Sequence, residues 1–504
     1  MSLLNTIIVF RMKWRQKRIQ RFVKAPEKTQ EETLQYLLKT ASQTEFGKRY
    51  NFSKIGNSNQ FKEQIPLQSY EDLFPWIDRN LKGEQNLLWP GEISWFAKSS
   101  GTTNDKSKYI PVSREALFNC HYRAGKDILS FHCNQFPNSK IFTGRSLTLG
   151  GSRSINQLNE RSYIGDLSAI LIDNLPYWVR RMRSPKREIT FLSEWEEKID
   201  KMAEETIHQN ITSISGVPSW TMVFFNKILE KTGKKNIEEV WPNLEMFMHG
   251  GIKLEPFKEQ MQAFFPSGKL KCIEIYNASE GFFGIQPQHN VHDFLLMLDY
   301  GIYYEFIPLE ELENQTPKTL GLEEVQCNKT YAVVISTNAG LWRYQLGDTI
   351  KFTSTQPFRF VIEGRTQQFI NVFGEELMVN NADKAMAIAA EKCNTKVLEY
   401  TAAPVFFKEK ESGAHEWIIE FENIPDDLVK FNYCLDNALK SLNSDYETKR
   451  YQNMILREPQ IIPIKKGTFY EWLKSKKKLG GQNKIPRLNN DRIWFEEVKN
   501  FVIK

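Results

Sequence analysis

The chain has 504 residues, far more than a single hydrophobic core occupies, so the sequence predicts a large composite domain and a smaller second domain. Hydrophobic residues make up 41% and charged residues 25%, and the absence of any run of about 18 apolar residues excludes a transmembrane helix. The formal net charge of +6 is small for this length, which suits a small anionic ligand and does not indicate nucleic acid.

The six cysteines show neither CxxC spacing nor dense pairing. That pattern is typical of free thiols in a reducing compartment, so we expect a cytoplasmic protein.

The N-terminal segment is apolar over residues 3–10 and basic over residues 11–18. This order is the reverse of that in a secretory signal peptide. Two alternatives remain, a docked terminal helix with a solvated charged face, or a basic helix that docks weakly on a membrane or partner surface. Further on, Thr29 to Glu32 reads as a capping box, which predicts that a core-facing helix starts there.

The segment at residues 98–108 reads KSSGTTNDKSK and predicts a phosphate-binding loop. Small hydroxyl side chains, a glycine and a terminal cation are the groups that let a backbone approach a triphosphate closely. The segment is not a Walker loop, because no Gly-Lys-Ser or Gly-Lys-Thr follows the glycine. The alternative is an ordinary solvated Ser/Thr-rich turn. The candidate phosphate-binding residues are Ser99, Ser100, Gly101, Thr102, Thr103 and Lys108.

Strands, glycine turns and helices alternate across residues 90–300, which predicts an α/β sheet with its ligand at the strand ends. One apolar strand at residues 246–248 runs into His249, Gly250 and Gly251. Two glycines at a strand end would let the backbone lie flat against a planar group such as adenine.

The next strand, at residues 272–276, leads into the segment YNASEGFFG. Tyr276 could stack on a base, and the Glu280 carboxylate could hold Mg²⁺ beside a phosphate. A purely structural turn is the alternative. The nucleotide-binding candidates in this segment are Tyr276, Asn277, Ala278 and Ser279.

Two further strand ends carry charged residues. Asp348 follows Gly347 after the strand at residues 331–335, where a carboxylate could accept hydrogen bonds from both ribose hydroxyls. Arg365 follows Gly364 after the strand at residues 358–362, and an exposed Gly-Arg pair at that point predicts a hinge with a ligand-facing cation.

Four segments in order, SSGTTNDKSK, YNASEGFFGI, TNAGLWRYQLGD and EGRTQQFINVFGEE, resemble the signature of the auxin-responsive Gretchen Hagen type acyl acid amido synthetases. That family belongs to the adenylate-forming superfamily. The resemblance covers residues 96–487. It departs from the family pattern at Asp105, where a glycine is usual, and at Gln345, where many plant members have arginine.

The resemblance implies a role for each motif. The loop from Ser99 to Thr103, with Lys108, would hold the ATP phosphates, and Tyr276 would stack on adenine. Glu280 would coordinate Mg²⁺, and Asp348 would bind the ribose. The Gly364-Arg365 pair would open a hinge. A lysine near the family's C-terminus matches Lys484, which would be catalytic; without the resemblance, Lys484 is equally consistent with a surface lysine.

The fold that the resemblance implies is the α/β fold of adenylate-forming enzymes. A large domain with mixed sheets would occupy residues 1–366, and a small mobile α+β domain would occupy residues 367–504. For the small domain the pattern itself predicts strands at residues 396–400, 416–420 and 460–464, with helices at 426–442 and 469–478, as one sheet backed by two helices.

The implied activity is ATP-dependent adenylation of a carboxylic acid, followed by transfer of the acyl group to an amino acid. Two rival functions stay open, an acyl-CoA ligase with the same first step and a non-catalytic nucleotide-binding scaffold. A hydrolase centred on Ser99 or Ser100 is disfavoured, because the sequence has no GxSxG elbow. We expect a monomer that uses ATP and Mg²⁺.

Overall fold

The computed structural model describes residues 3–99, 108–150, 155–192, 195–254, 257–312, 314–366, 369–407, 412–475 and 485–503. The helices are α1 (Leu3–Lys24), α2 (Pro26–Ala41), α3 (Glu45–Arg49), α4 (Ser58–Gln64), α5 (Tyr70–Leu81), α6 (Tyr122–Gln135), α7 (Leu167–Asp173), α8 (Tyr177–Arg181), α9 (Arg187–Thr190), α10 (Trp195–Thr206), α11 (Pro218–Thr232), α12 (Ile237–Val240), α13 (Lys258–Phe264), α14 (Val379–Lys392), α15 (Leu428–Leu442), α16 (Ser444–Arg450), α17 (Thr468–Ser475) and α18 (Ile493–Ile503).

The strands are β1 (Trp95–Ser99), β2 (Lys108–Val112), β3 (Arg145–Thr148), β4 (Asn156–Gln157), β5 (Tyr163–Gly165), β6 (Arg183–Ser184), β7 (Ile211–Gly216), β8 (Met246–Gly250), β9 (Lys271–Ala278), β10 (Gly281–Ile285), β11 (Phe294–Leu296), β12 (Ile302–Pro308), β13 (Thr330–Thr337), β14 (Tyr344–Thr355), β15 (Phe358–Arg365), β16 (Phe369–Ile370), β17 (Leu377–Met378), β18 (Val397–Val405), β19 (Ala414–Phe421) and β20 (Gln460–Ile464).

One mixed sheet runs through the large domain in the order β12-β13-β14-β15-β11-β10-β9-β8-β7-β3-β6. Strands β6, β3, β7, β8 and β9 are parallel, whereas the remaining strands pair antiparallel. The apolar sequence of β13, TYAVVIST, explains why this strand of the large sheet is buried from its second residue onward. The predicted mixed α/β architecture is confirmed.

A second sheet, β2-β1-β5-β4, stands beside the first. Strands β1 and β2 pair antiparallel, with Ser99 opposite Lys108 at their ends. These two strands flank the predicted phosphate loop, and residues 100–107 lie outside the described part of the chain.

The small domain contains the three-stranded sheet β18-β19-β20. Tyr400, Trp417 and Phe421 pack with helices α14 and α15, whereas Ala403, Ile418 and Ile464 pack with α17 and α18. The predicted strands are present, but the expectation of two backing helices is wrong. Alternate strand residues are apolar on both faces, so both faces need a helical cover.

The predicted start of the second helix is also wrong. Helix α2 begins at Pro26, three residues before the supposed capping box, and the Thr29 hydroxyl donates to the Ala25 carbonyl at 2.8 Å from inside the helix. Proline is favoured at the first helical position, because its missing N–H has no partner there in any case.

None of the described helices combines the length and the apolar character that a membrane span requires.

Candidate active site

Asp348 lies at the centre of the candidate site. Its strand β14 pairs with β15 so that Asp348 is opposite Arg365, and the Arg365 Nε lies 3.0 Å from Asp348 Oδ1. The Tyr276 hydroxyl, on β9, donates to the other carboxylate oxygen, Oδ2, at 2.5 Å. Each carboxylate oxygen can accept a second hydrogen bond, so Asp348 keeps capacity for a ligand while both neighbours fix its orientation.

Burial raises the pKa of Asp348, and the Arg365 guanidinium opposes that rise. The side chain of Arg365 also reaches Glu376, with Nη2 3.7 Å from Oε1. Arg365 therefore joins the last long strand of the large sheet to the turn that precedes β17.

Tyr276 is more enclosed than a stacking platform would be. Its side chain is 8% exposed, and its ring centroid lies 4.9 Å from that of Phe283 and 5.9 Å from that of Phe360. In this arrangement the tyrosine acts through its hydroxyl, which orients Asp348. Stacking of Tyr276 on adenine stays a prediction.

Glu280 occupies the tight turn between β9 and β10. Burial raises its pKa; the Lys108 ammonium opposes that rise, Asp348 adds to it, and Arg365 also opposes it. Lys108, Asp348 and Arg365 therefore all act electrostatically on Glu280, although the four residues lie up to 257 positions apart in the sequence.

Lys108 enters the site from the second sheet. Its ammonium donates to the Tyr344 hydroxyl at 3.3 Å and lies 5.5 Å from the centroid of the Tyr70 ring. The two tyrosines hold the lysine without neutralising it. Sequence reasoning assigned no role to either tyrosine, although Tyr344 begins β14 and lies in the quoted segment TNAGLWRYQLGD.

The residues present fit a magnesium ion that is bound by one protein carboxylate, that of Glu280. In the described ranges no cluster of three or more His, Cys, Asp or Glu side chains could hold a metal. Mg²⁺ commonly binds through one or two carboxylates together with substrate phosphates and water, so Glu280 alone is a sufficient protein ligand in a nucleotide complex.

The predicted segment His249-Gly250-Gly251 lies at the end of β8, next to β9. A Cβ atom on Gly250 would lie 2.5 Å from the Ile275 carbonyl oxygen, and Gly251 has a φ of +83°. Both glycines are therefore explained by chain packing and backbone geometry. Burial lowers the pKa of His249 to about 3, so its ring is neutral. A nucleotide contact by these residues stays a prediction.

Some of the remaining candidate residues lie near Glu280 or Lys108, and the others lie outside the described part of the chain. Asn277 pairs with Phe282 and Ala278 with Gly281, and Ser279 follows in the turn, so all three surround Glu280. Ser99 ends β1 beside Lys108. The other predicted positions lie outside the described residues, and they are Ser100, Gly101, Thr102, Thr103 and Lys484.

Two charged residues near the site were not predicted. Glu376 contacts Arg365 and has a φ of +39°, which is rare for a residue with a side chain. Lys449 is 7% exposed and lies where the small domain meets the large one. Neither has a local sequence signal beyond the Gly-Glu-Glu run that contains Glu376.

Comparison with known proteins identifies the family. The GH3 family N-terminal domain matches residues 15–270, the central domain residues 295–365 and the C-terminal domain residues 380–493. The chain belongs to the GH3 family.

Individual GH3 relatives are distant but extend over most of the chain. The protein is 24% identical to an indole-3-acetic acid-amido synthetase, GH3.3, of Arabidopsis thaliana, over 91% of this chain and 88% of the relative. It is 23% identical to the jasmonoyl-L-amino acid synthetase JAR4 of Nicotiana attenuata, over 91% and 90%.

Solved structures support the GH3 fold assignment. The GH3.15 acyl acid amido synthetase superposes with a TM-score of 0.60 at 16% identity, covering 98% of this chain and 97% of that one. A 2-hydroxyisobutyryl-CoA ligase, solved with its acyl-AMP and CoA, superposes with a TM-score of 0.57 at 13% identity, covering 94% and 92%. The predicted adenylate-forming fold is therefore confirmed.

Proposed function

We propose that this protein is an ATP-dependent acyl acid amido synthetase. It adenylates a carboxylic acid, releases pyrophosphate and transfers the acyl group to the amine of an amino acid. The observation that carries the proposal is the meeting of Asp348, Glu280, Arg365 and Lys108 from two sheets, in a chain of the GH3 family. The curated relatives above carry names of the same reaction class.

Each charged group has a distinct task in the first step. Asp348, oriented by Tyr276 and Arg365, accepts hydrogen bonds from the ribose hydroxyls. Lys108 faces the phosphates, where its charge offsets the charge of the triphosphate. Glu280 would hold Mg²⁺, and the bound ion would supply positive charge that offsets the charge of the phosphates.

The small domain completes the site in this proposal. Residues 367–504 follow Arg365 and would close over the nucleotide, so that water does not hydrolyse the acyl-adenylate. Lys484 would then stabilise charge that builds in the adenylation transition state. All six cysteines are free thiols, which supports the proposal of a cytoplasmic enzyme. We further propose that the enzyme is a monomer.

An acyl-CoA ligase is the second candidate, because a CoA ligase shares the fold. The two functions differ only in the acceptor. A non-catalytic scaffold is the third, and the charged groups gathered around Asp348 and Glu280 argue against it, because buried charge is costly to keep without a use.

The decisive assay measures pyrophosphate release over a panel of carboxylic acids, with amino acids or coenzyme A added in parallel. We expect pyrophosphate and an amide product with at least one acid and amino acid pair. Formation of a CoA thioester instead would favour the ligase, and no pyrophosphate with any acid would favour the scaffold.

Lys484→Ala separates the two half-reactions. We expect adenylation to slow about 100–1,000-fold, by analogy with the loss of one preorganised donor, while conversion of a supplied acyl-adenylate changes far less. Lys474→Ala, at an exposed lysine on α17, is the matched control. Equal losses in both half-reactions for Lys484→Ala would remove this lysine from the adenylation site.

A further inference from the structure

A buried lysine of the small domain lies against the large domain. Lys449, on α16, is 7% exposed, and its ammonium lies 4.5 Å from the centroid of the Trp220 ring on α11. It also lies beside the turn that carries Glu376, because a Cβ on Gly374 would be 3.3 Å from Lys449 Nζ.

Among the described residues, the Lys449 ammonium has no counter-charge in contact. No carboxylate of the described residues lies within 4.0 Å of its nitrogen, although its neighbour Arg450 binds both oxygens of Asp436. Burial lowers the pKa of Lys449 to about 8, and more distant carboxylates, Asp445 first among them, oppose that effect. An unpaired buried cation is costly, so its position calls for an anionic ligand.

The position of Lys449 points to a ligand of the active site. The same Gly374 lies next to Val217, which follows β7, and Gly251, which follows β8, is also next to Val217. The ammonium therefore lies over the carboxyl ends of two parallel strands, where open α/β sheets bind ligands. On its other side, Glu376 links this turn to Arg365 and so to Asp348.

We propose that Lys449 binds the carboxylate of the acceptor amino acid; this assignment rests on the proposed amido synthetase function. The ammonium forms a charge-assisted hydrogen bond with that carboxylate and directs the amine toward the acyl-adenylate. The amine nitrogen then attacks the acyl carbon. The C–N bond forms, the C–O bond to AMP breaks with its electron pair on AMP, and the nitrogen releases a proton to solvent.

The test compares two acceptors that share an amine. The acid and amino acid pair identified by the pyrophosphate screen is assayed beside the carboxamide of the same amino acid. For Lys449→Met we expect KM for the amino acid to rise about tenfold or more, as for a lost hydrogen bond to a charged group, with little change for the carboxamide. Lys449→Arg should restore most of the difference, and Lys430→Met, at an exposed lysine on α15, is the control.

Equal changes for the two acceptors, or no change for either, would overturn the assignment of Lys449 and leave the proposed function intact. Thermal unfolding of each variant detects a merely structural effect. Absence of pyrophosphate release from the parent enzyme with every acid would instead remove the proposed function, and this assignment with it.

An independent observation concerns the outer face of α1. The inner face of this helix packs through Val9, Ile19 and Phe22, and its Arg15 binds Asp127 on α6 at 2.5 Å. The outer face has no such cover: Ile7 is 48% exposed, and Phe10 and Trp14 are each 62% exposed. Spacings of three and four residues place these three side chains in one stripe.

Cations flank the stripe on both sides. Arg11 and Arg18, seven residues apart, follow one edge, and Lys17 and Lys24 follow the other. No acidic residue occurs between Leu3 and Lys24. An apolar stripe between two basic edges is the pattern of a helix that lies in a lipid–water interface, whereas binding to nucleic acid would not need the exposed apolar side chains.

We infer that the outer face of α1 docks on an anionic phospholipid surface. The apolar stripe enters the headgroup region, with Trp14 at the depth that tryptophan prefers, and the basic edges contact anionic headgroups. The helix lies on the membrane without crossing it.

Co-sedimentation with vesicles of phosphatidylcholine, with and without phosphatidylserine, tests this surface on the full chain. We expect binding only with phosphatidylserine, weakened when salt is raised from about 0.1 M to about 0.5 M. Phe10→Glu with Trp14→Glu should lower binding at least tenfold, as should Arg11→Gln with Lys17→Gln. Val429→Glu with Tyr433→Glu changes two exposed apolar residues on α15, 82% and 69% exposed, and is the matched control.

No binding by the parent, or equal binding to both kinds of vesicle, would overturn the inference. Anionic-lipid binding that the Phe10 and Trp14 changes leave intact would also overturn it, because a purely electrostatic contact has no use for the apolar stripe. Equal loss in the α15 control would indicate non-specific adsorption.

Discussion

Two clusters of buried charge lie on the same sheet, and they differ in how completely the protein satisfies them. In the first cluster, Arg343 and Glu305 are 5% and 1% exposed and form an ion pair at 2.8 Å. Arg343 also donates to the carbonyls of Lys62 and Ile65 and to the Thr319 hydroxyl, which in turn donates to Glu305. Every charge there has a protein partner, so this cluster is structural.

The second cluster, around Asp348 and Glu280, is less complete. Burial raises the pKa of both carboxylates in spite of the nearby Arg365 and Lys108. The Lys108 ammonium contacts a tyrosine hydroxyl, that of Tyr344, whereas the Arg343 guanidinium contacts the carboxylate of Glu305. The comparison indicates that fully paired charges stabilise the fold, whereas charges that are only partly paired are available to bind a ligand.

Removing the cation of the structural cluster should give the largest effect. Arg343→Met leaves the Glu305 carboxylate buried without its partner, so we expect the free energy of unfolding to fall by about 3–5 kcal/mol. Denaturant titration measures the loss. Adding Glu305→Gln to the Arg343→Met chain should recover part of the lost stability. A loss below about 1 kcal/mol in Arg343→Met would contradict the assignment of this cluster as structural.

Asp348→Ala should affect the nucleotide more than the fold. Loss of hydrogen bonds to a charged group costs about 1.5–3 kcal/mol, so we expect ATP to bind at least about tenfold more weakly by calorimetry. Stability should fall less than in Arg343→Met, because Arg365 keeps Glu376 as a neighbour. Unchanged ATP affinity would make Asp348 a second structural acid.

Tyr276→Phe tests whether the tyrosine acts by orienting Asp348. The change removes one hydrogen bond to a carboxylate, worth at most about 1.5–3 kcal/mol, and keeps the packed ring. We expect a several-fold loss of ATP affinity. If Tyr276→Leu weakens ATP binding much more than Tyr276→Phe at equal stability, ring stacking on adenine accounts for the difference instead.

The smallest effect concerns pH. Since the folded pKa of Glu280 is raised, the folded state binds its proton more tightly than the unfolded chain does. The resulting stabilisation is present below the unfolded pKa of about 4.5 and is lost as pH rises through the folded pKa. The stability of the parent relative to Glu280→Gln should therefore fall with rising pH in that window. Unfolding titrations of both proteins at a series of pH values measure this difference, and a difference that rises with pH would contradict it.

Local patterns in the sequence were sufficient for most of the elements around the site. The strands β8, β9, β13 and β15 overlap the predicted segments, because each contains a short apolar run that is followed within three residues by glycine, asparagine or a charged residue. The start of α2 was misjudged for a local reason as well: Pro26 and the Thr29 box are both acceptable helix starts, and proline is favoured at the first helical position.

The contacts within the site were beyond the reach of such patterns. Nothing in the sequence near Tyr276 shows that its hydroxyl would bind Asp348, which is 72 residues away. The same holds for Lys108 beside Tyr344, and for Lys449 above the ends of β7 and β8.

The sequence by itself therefore determined the GH3 family, the mixed α/β fold and the motifs that carry the candidate residues, because these depend on local periodicity and on motifs in a fixed order, whereas Asp348, predicted at a strand end, lies inside β14. Only the tertiary structure decided which charges are paired and which stay available. That outcome depends on strand register and on burial, which join residues hundreds of positions apart and which set the free energy of every buried charge.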